Sequence, residues 1–347
     1  MDLSNANGWL KNKKNIYSAA GIVGLIFLSG IWWYTQSRAE DEVRNFFDEY
    51  EQLDSVSYKK VSYNPLSGTL TLSNIEIEPN KSDFLLAIDS LEIHDVEFDD
   101  NIPEHISFSI EGIQLDVLEL ANNFNINQST LRYITTERLS DNTLATLFLL
   151  GYYNLPVNLD VDISYDQDDE EFEWNFSANA DELGELSFSY NVVNLKRKFF
   201  KIFDSEWMGG MSVAMFMNFN PSRISELEKI IKTVKKSKLA YFKAEYNDLG
   251  LFERVKHFTE IEHNYVKGDT HPFELTEDKK RYQIKQLKRN GASIETAESI
   301  INAQANFLVD IDSISIETNI DEPFSLRKLE GKENGRIMKL LRIEGNN

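Results

Sequence analysis

His257 and His263, six residues apart, are the closest pair of histidines in a 347-residue chain that holds only five. Two imidazoles bind a metal from one helix when they share a face at i, i+4, and a spacing of six puts this pair on different faces. Solvated or capping roles fit them better. His94, His105 and His271 stand alone in the sequence. The run Asp166–Glu171 has the residue types of an acid–base pair, but six consecutive Asp, Gln and Glu side chains crowded into a turn read as a solvated loop. Asn127-Gln-Ser and Asn175-Phe-Ser match glycosylation acceptors, which matter only in a eukaryotic secretory protein. No Gly-rich phosphate loop, Gly-x-Ser-x-Gly elbow or His-Glu-x-x-His motif occurs. With no cysteine at all, disulfides, thiolate zinc, iron–sulfur clusters and a Cys nucleophile are excluded. The expectation is a non-enzymatic protein without metal or cofactor.

The elements around these residues point to a membrane. From Asn15 to Ser37 no side chain is charged, and Ile16–Tyr34 is dominated by Ile, Val, Leu, Phe, Ala and Gly. At ~1.5 Å per residue such a helix crosses the ~30 Å hydrocarbon layer. Trp32, Trp33 and Tyr34 close it, where amphipathic rings favour the headgroup layer. Lys11, Lys13 and Lys14 precede it, and Glu40, Asp41 and Glu42 follow. Basic residues stay on the cytoplasmic side, so the N-terminus is expected in the cytoplasm and the bulk of the chain across the membrane. A cleaved signal peptide has a shorter apolar core and small residues at its cut site, which this bulky end lacks.

Beyond the anchor, Val43, Phe46, Phe47 and Tyr50 mark one face of a membrane-proximal helix, and then the apolar period changes from 3.6 to 2. Val61 and Tyr63 alternate up to the turn Asn64-Pro-Leu-Ser-Gly68, and Leu70/Leu72 and Ile75/Ile77 resume after it. Leu86/Ile88, Leu91/Ile93, Val96/Phe98, Ile106/Phe108/Ile110 and Ile113/Leu115/Val117 continue in the same way. The single-residue skips between pairs predict bulges or strands that switch faces. A short helix is expected over 139–153. The longest alternations then follow: Leu155, Val157, Leu159, Val161, Ile163 and Tyr165; Phe172, Trp174, Phe176 and Ala178; Leu186, Phe188, Tyr190 and Val192; and Val213, Met215, Met217 and Phe219. They read as antiparallel strands with one apolar and one wet face.

The C-terminal part is mixed, with helices expected over 223–238, 249–265, 276–290 and 293–308, a strand over 239–246 and a closing strand at Ile314/Ile316. Ser293 is suited to start the last helix. The predicted fold class is α+β and mainly antiparallel β. Its parts are a cytoplasmic tail 1–14, a transmembrane helix 15–37, a membrane-proximal helix 38–54, an acidic β domain 55–220 and a mixed part 221–347. Residues 38–193 carry 7 basic and 33 acidic side chains and residues 194–347 carry 26 and 23, within a net charge of −21. That balance argues against nucleic acid as a partner. Acidic residues on the wet face keep a sheet soluble and discourage edge pairing.

The stretch Val61-Ser-Tyr-Asn-Pro-Leu-Ser-Gly-Thr-Leu-Thr-Leu-Ser-Asn-Ile-Glu-Ile77 after a membrane helix resembles the start of AsmA-like envelope proteins of Gram-negative bacteria and of related inner-membrane-anchored families. Ala244-Glu-Tyr-Asn-Asp-Leu-Gly-Leu-Phe-Glu-Arg254 is similar to a segment late in such chains. The resemblance covers about a tenth of the chain and neither stretch is catalytic. It implies a twisted antiparallel sheet forming a groove that shields lipid tails, in a periplasmic protein of envelope maintenance. The large members are longer, and ten strands at ~4.8 Å spacing reach only about 50 Å, which favours a partial groove or an accessory component.

The candidate site is therefore an apolar sheet face made by Val157, Leu159, Val161, Ile163, Phe172, Trp174, Phe176, Phe188, Tyr190, Val213 and Met215, with Trp32, Trp33 and Tyr34 at the membrane interface. Helices from 223–308 laid on that face would make an ordinary core, but those predicted are too few to cover ten strands. Membrane lipids are the expected partners, a phospholipid ligand among them. The alternative is a structural or assembly subunit that docks on another envelope protein.

Overall fold

Every-second-residue apolarity becomes strands in the computed structural model of the chain, which describes residues 56–64, 67–77, 86–99, 102–116, 147, 150–197, 199, 234–263, 266 and 274–347. Among them are eleven strands, paired antiparallel, and four α-helices, an α+β chain dominated by β. The expected segments 15–37 and 38–54, the strand around Met211–Asn220 and most of the helices expected over 139–153 and 223–238 lie outside the described residues. The described ends of those two helices, 150–153 and 235–238, are turn, bend and the start of a strand and not helix.

The described residues form two compact units with a boundary at Tyr165. The first contains β1 (Val56–Asn64), β2 (Thr69–Ile77), β3 (Leu86–Asp99), β4 (Ile102–Asp116) and β5 (Asn154–Asp166), adjacent in chain order. Gly68, at φ 71°, closes the first hairpin with its N–H on Asn64 O at 2.8 Å. Register aligns the apolar residues into rows. Val61 pairs with Leu72, Leu72 with Leu91, Leu91 with Ile110 and Ile110 with Leu159. The next row runs Tyr63, Leu70, Ile93, Phe108 and Val161. Leu70, Leu72, Ile75, Ile77, Leu91, Ile93, Ile106 and Ile110 are all buried.

Four of the skips in the alternation fall at one level of this sheet, while that at His94-Asp95 of β3 is a separate irregularity against β4. Lys59-Lys60, Ser73-Asn74, Asp89-Ser90 and Glu111-Gly112 each put two residues where one would preserve the period. Leu72 and Ile75, three apart, are nevertheless both buried. Asn74 (φ 53°) and Gly112 (φ 66°) take left-handed backbone there, which turns the chain so that its apolar side chains stay on one face. The skips at this level are thus insertions matched from strand to strand from β1 to β4, and not changes of face. β5 has no extra residue. Its Asn158 alone spans the level, and its Oδ1 accepts the Gly112 N–H at 2.8 Å, so the surplus ends in a bulge between β4 and β5.

The second unit covers Asp166–Lys196 and Thr233–Asn347, together with Leu150 from the segment before β5. It contains β6 (Glu171–Ala180), β7 (Gly184–Val193), β8 (Lys238–Asp248), β9 (Ser313–Thr318), β10 (Phe324–Ser325) and β11 (Ile343–Asn346). Strands β6, β7, β8, β9 and β11 lie side by side, and β10 pairs with the start of β8. The expected closing strand forms as β9, but it is not the last: the chain returns and adds β11 against it. The helices are α1 (Leu251–Glu262), α2 (Glu277–Arg289), α3 (Ile294–Asp310) and α4 (Asn334–Leu340). Ser293 caps α3 by accepting the Thr296 N–H at 3.1 Å. A Cβ at Gly345 would sit 2.8 Å from Ile300 Cα, so only glycine lets α3 lie this close to β11. Ser299 Oγ fixes the contact by accepting the Gly345 N–H at 2.6 Å.

The level of insertions has a direct test. A Cβ at Gly112 would fall 2.1 Å from the Asp89 carboxylate, in a backbone conformation that side chains resist. Gly112→Ala is expected to lower stability by ~2–4 kcal/mol, the sum of left-handed strain and overpacking, read by chemical denaturation followed by circular dichroism. Adding Asp89→Gly returns the steric share and leaves a deficit of ~1 kcal/mol.

Candidate functional site

One face of the second sheet stays open to solvent although its side chains are apolar. Trp174 pairs with Tyr190 and Tyr190 with Phe242; Phe176 pairs with Phe188, Phe188 with Ala244 and Ala244 with Ile316; Ala178 pairs with Leu186 and Leu186 with Tyr246. Directly paired antiparallel residues point to the same face, so these rows make one apolar surface. On it Trp174 is 40% exposed, Leu186 38% and Ile316 36%. Phe176 holds the centre, with ring centroids 6.3 Å from Trp174 and 6.0 Å from Phe188, separations at which aromatic pairs attract.

Helices cover only part of this face. At one corner the Tyr246 ring meets Phe252 of α1 at 5.7 Å and Phe307 of α3 at 6.1 Å, and Phe252 and Phe307 stand edge to face at 4.8 Å. Tyr246 Oη lies 2.8 Å from Leu183 O and 2.7 Å from Asp248 Oδ1, sharing one proton between them. Asp248 in turn accepts the N–H groups of Gly250 and Phe252, both at 3.0 Å, which caps the start of α1. Gly184 leaves room for the Tyr246 ring, since a Cβ there would be 2.5 Å from it. Arg254 pairs with Glu182 and donates to Leu150 O at 3.3 Å. The Asp-Leu-Gly-Leu segment at 248–251 is therefore a structural corner that joins strand to helix and carries no chemistry of its own.

The residues expected on the apolar face divide between the two units. Val157, Leu159, Val161 and Ile163 lie on β5, half-buried and in register with Ile113, Ile110, Phe108 and Ile106. Phe172, Phe176, Phe188 and Tyr190 are half-buried on β6 and β7, with Trp174 exposed beside them. Val213, Met215, Trp32, Trp33 and Tyr34 lie outside the described residues. Leu186, Phe242, Ala244 and Ile316 also belong to the surface. The alternation in Leu239–Tyr246 and at Ile314/Ile316 carries that signal, but only pairing partners reveal which face each strand turns to Trp174.

The opposite, wet faces bring together polar groups that are far apart in sequence. His94 Nε2 lies 2.9 Å from Ser109 Oγ, which donates to Asp160 Oδ1 at 2.6 Å, and His105 Nε2 lies 2.9 Å from Asp162 Oδ2. His94 and His105, alone in the sequence, are thus partnered in space. The order is not that of a nucleophilic triad. Ser109 sits between ring and carboxylate and gives its proton to Asp160, so no imidazole accepts it. Among the described residues no three His, Asp or Glu side chains gather as a metal site. The acidic turn is a self-contained loop in which Asp166 Oδ1 accepts the N–H groups of Asp168 and Asp169 and Lys196 Nζ binds Glu170 at 2.5 Å.

Comparison of the chain with protein-family models, with curated proteins and with solved structures finds no match. Among the described residues no helix is long and apolar enough to cross a membrane.

Burial on the apolar face pushes the Tyr190 phenol above its ordinary value near 10. A phenol that is harder to ionise in the folded chain leaves stability intact below that value and erodes it as the pH rises through the folded one. Stability is therefore expected to fall above pH ~10, and Tyr190→Phe to remove part of that slope, read as denaturation midpoints on either side of that pH.

Proposed function

We propose that this chain is a non-enzymatic, membrane-anchored protein of the bacterial envelope that holds the apolar tail of a phospholipid on the apolar face of β6, β7, β8 and β9. In this reading residues 15–37 span the inner membrane once, the N-terminus is cytoplasmic and both described units are periplasmic, as in the AsmA-like proteins that the sequence resembles. The observation that carries it is the exposure of Trp174, Leu186 and Ile316 on one apolar face around the Phe176–Phe188 pair. Soluble chains seldom leave large apolar side chains side by side in water, and such a surface answers to a ligand or a partner. Support for the anchor comes from the uncharged segment, its Trp-Trp-Tyr end and the lysines before it. A groove formed by the sheet belongs to the same reading.

A fatty tail needs no polar anchor deep in its site, which agrees with a strip free of charged side chains. Wet-face charges such as Lys243 and Glu245, paired at 2.6 Å, keep the other side of the sheet in water.

Native mass spectrometry of the full chain after gentle detergent extraction tests the reading. Co-purified phospholipid is expected on the wild-type chain. Trp174→Asp or Leu186→Asp should weaken its retention about tenfold or more, in line with ~1.5–3 kcal/mol for an apolar side chain taken out of water. An unliganded mass carrying a stoichiometric protein partner would replace lipid binding by the assembly-subunit alternative.

A further inference from the structure

The most concentrated positive charge among the described elements stands on α2, whose 13 residues include Lys279, Lys280, Arg281, Lys285, Lys288 and Arg289 against only Glu277 and Asp278. The order is helix-favouring, acids in the first turn and bases in the last. Ile284 and Leu287 turn partly inward, yet no residue of the helix is buried. Arg281, Lys285 and Arg289 follow at i, i+4 and i+8 as one outward column, and all three are exposed. Tyr282 stands beside them, 63% exposed.

Among the described residues little neutralises this column. Glu277, one turn before Arg281, is bonded to Lys280 at 2.9 Å and feels Arg281 only as a lesser charge. Neighbouring elements add charge of the same sign. Arg336 of α4 lies against Gly291, just past the end of α2. Glu295 is held below its ordinary value first by its own N–H and Ser293, then by Lys339 and Lys288, so ammonium groups of α4 and α2 flank one carboxylate at the helix junction.

We propose that the outward face of α2, extended by Arg336 and Lys339 of α4, docks on an anionic lipid surface. One feature selects a bilayer over other polyanions, and screening removes the objection from the chain's net charge. An exposed tyrosine amid lysine and arginine suits the headgroup layer, where amphipathic rings partition. A cationic face is drawn to acidic lipids within a Debye length, ~8–10 Å, so acidic residues elsewhere in the chain are largely screened from the contact. The inference does not use the apolar strip and can fail or stand separately from it.

The test holds the full chain in phosphatidylcholine nanodiscs and asks whether it co-floats with added vesicles of phosphatidylcholine, with or without phosphatidylglycerol. Co-flotation is expected only with the anionic vesicles, and raised salt should abolish it. The exposed-site variant Arg281→Glu/Lys285→Glu/Arg289→Glu should weaken it by roughly 100-fold, from what Lys and Arg contribute near anionic lipid. Lys59→Glu/Lys60→Glu, which changes net charge by about −4 against about −6 but on β1, should leave it unchanged. Unchanged circular dichroism of the triple variant shows that its fold is kept, and salt sensitivity of the wild-type chain is the readout that needs no variant. Equal flotation with both vesicle types, or equal loss in the β1 variant, overturns the proposal. Self-association of the nanodisc-held chain without vesicles, lost in the triple variant, also overturns it and makes a second copy's acidic surface the occupant.

Discussion

Period-two alternation is unforgiving: one residue inserted in a strand sends every later side chain to the opposite face. The first unit contains such an insertion in four successive strands and still keeps its apolar rows together. It does so by placing all four at one level and by using left-handed backbone at Asn74 and Gly112. The Asp89 carboxylate fills the space that a Gly112 side chain would need, and Asn158 answers the Gly112 N–H from a strand without the insertion. Remove that accommodation and the burial of Ile75, Ile77, Leu86 and Ile88 beyond the insertions is lost together.

The second unit obeys the same alternation with a different outcome. Its apolar face is closed at the Tyr246, Phe252 and Phe307 corner and where α3 lies on β11 through Gly345. Elsewhere on that face it stays open at Trp174, Leu186 and Ile316. The corner is held by polar contacts, with Asp248 serving the start of α1 and the Tyr246 hydroxyl together. A fixed corner beside an uncovered strip allows a ligand to bind without rearranging the core. The proposed function lies in what the helices leave uncovered.

Much of this was legible in the sequence, for physical reasons. Alternation announced β1 to β9, Ser293 announced α3, and the skips at 73–74 and 111–112 announced irregularity. Which irregularity it was depended on whether two backbones could adopt positive φ in register, a property of neighbours and not of one strand. β11 escaped because Ile-Glu-Gly-Asn is short and its glycine, unfavourable in a strand alone, is required only by the approach of α3. His94 and His105 read as isolated because their partners lie 15 and 57 residues away along the chain. Leu186 and Ile316 carried the same apolar signal as buried neighbours, since composition does not tell where helices stop.

Because the chain has no cysteine, single thiols can report directly on which side chains water reaches. The most direct measurement is the maleimide labelling rate of Leu186→Cys compared with Leu91→Cys in otherwise unaltered protein. An open strip on the second sheet beside a buried row in the first predicts labelling of Leu186→Cys close to the rate of a free thiol, and protection of Leu91→Cys until denaturant is added. Equal protection at both positions would contradict the account, because it would mean that the apolar face around Trp174 is covered by the protein itself.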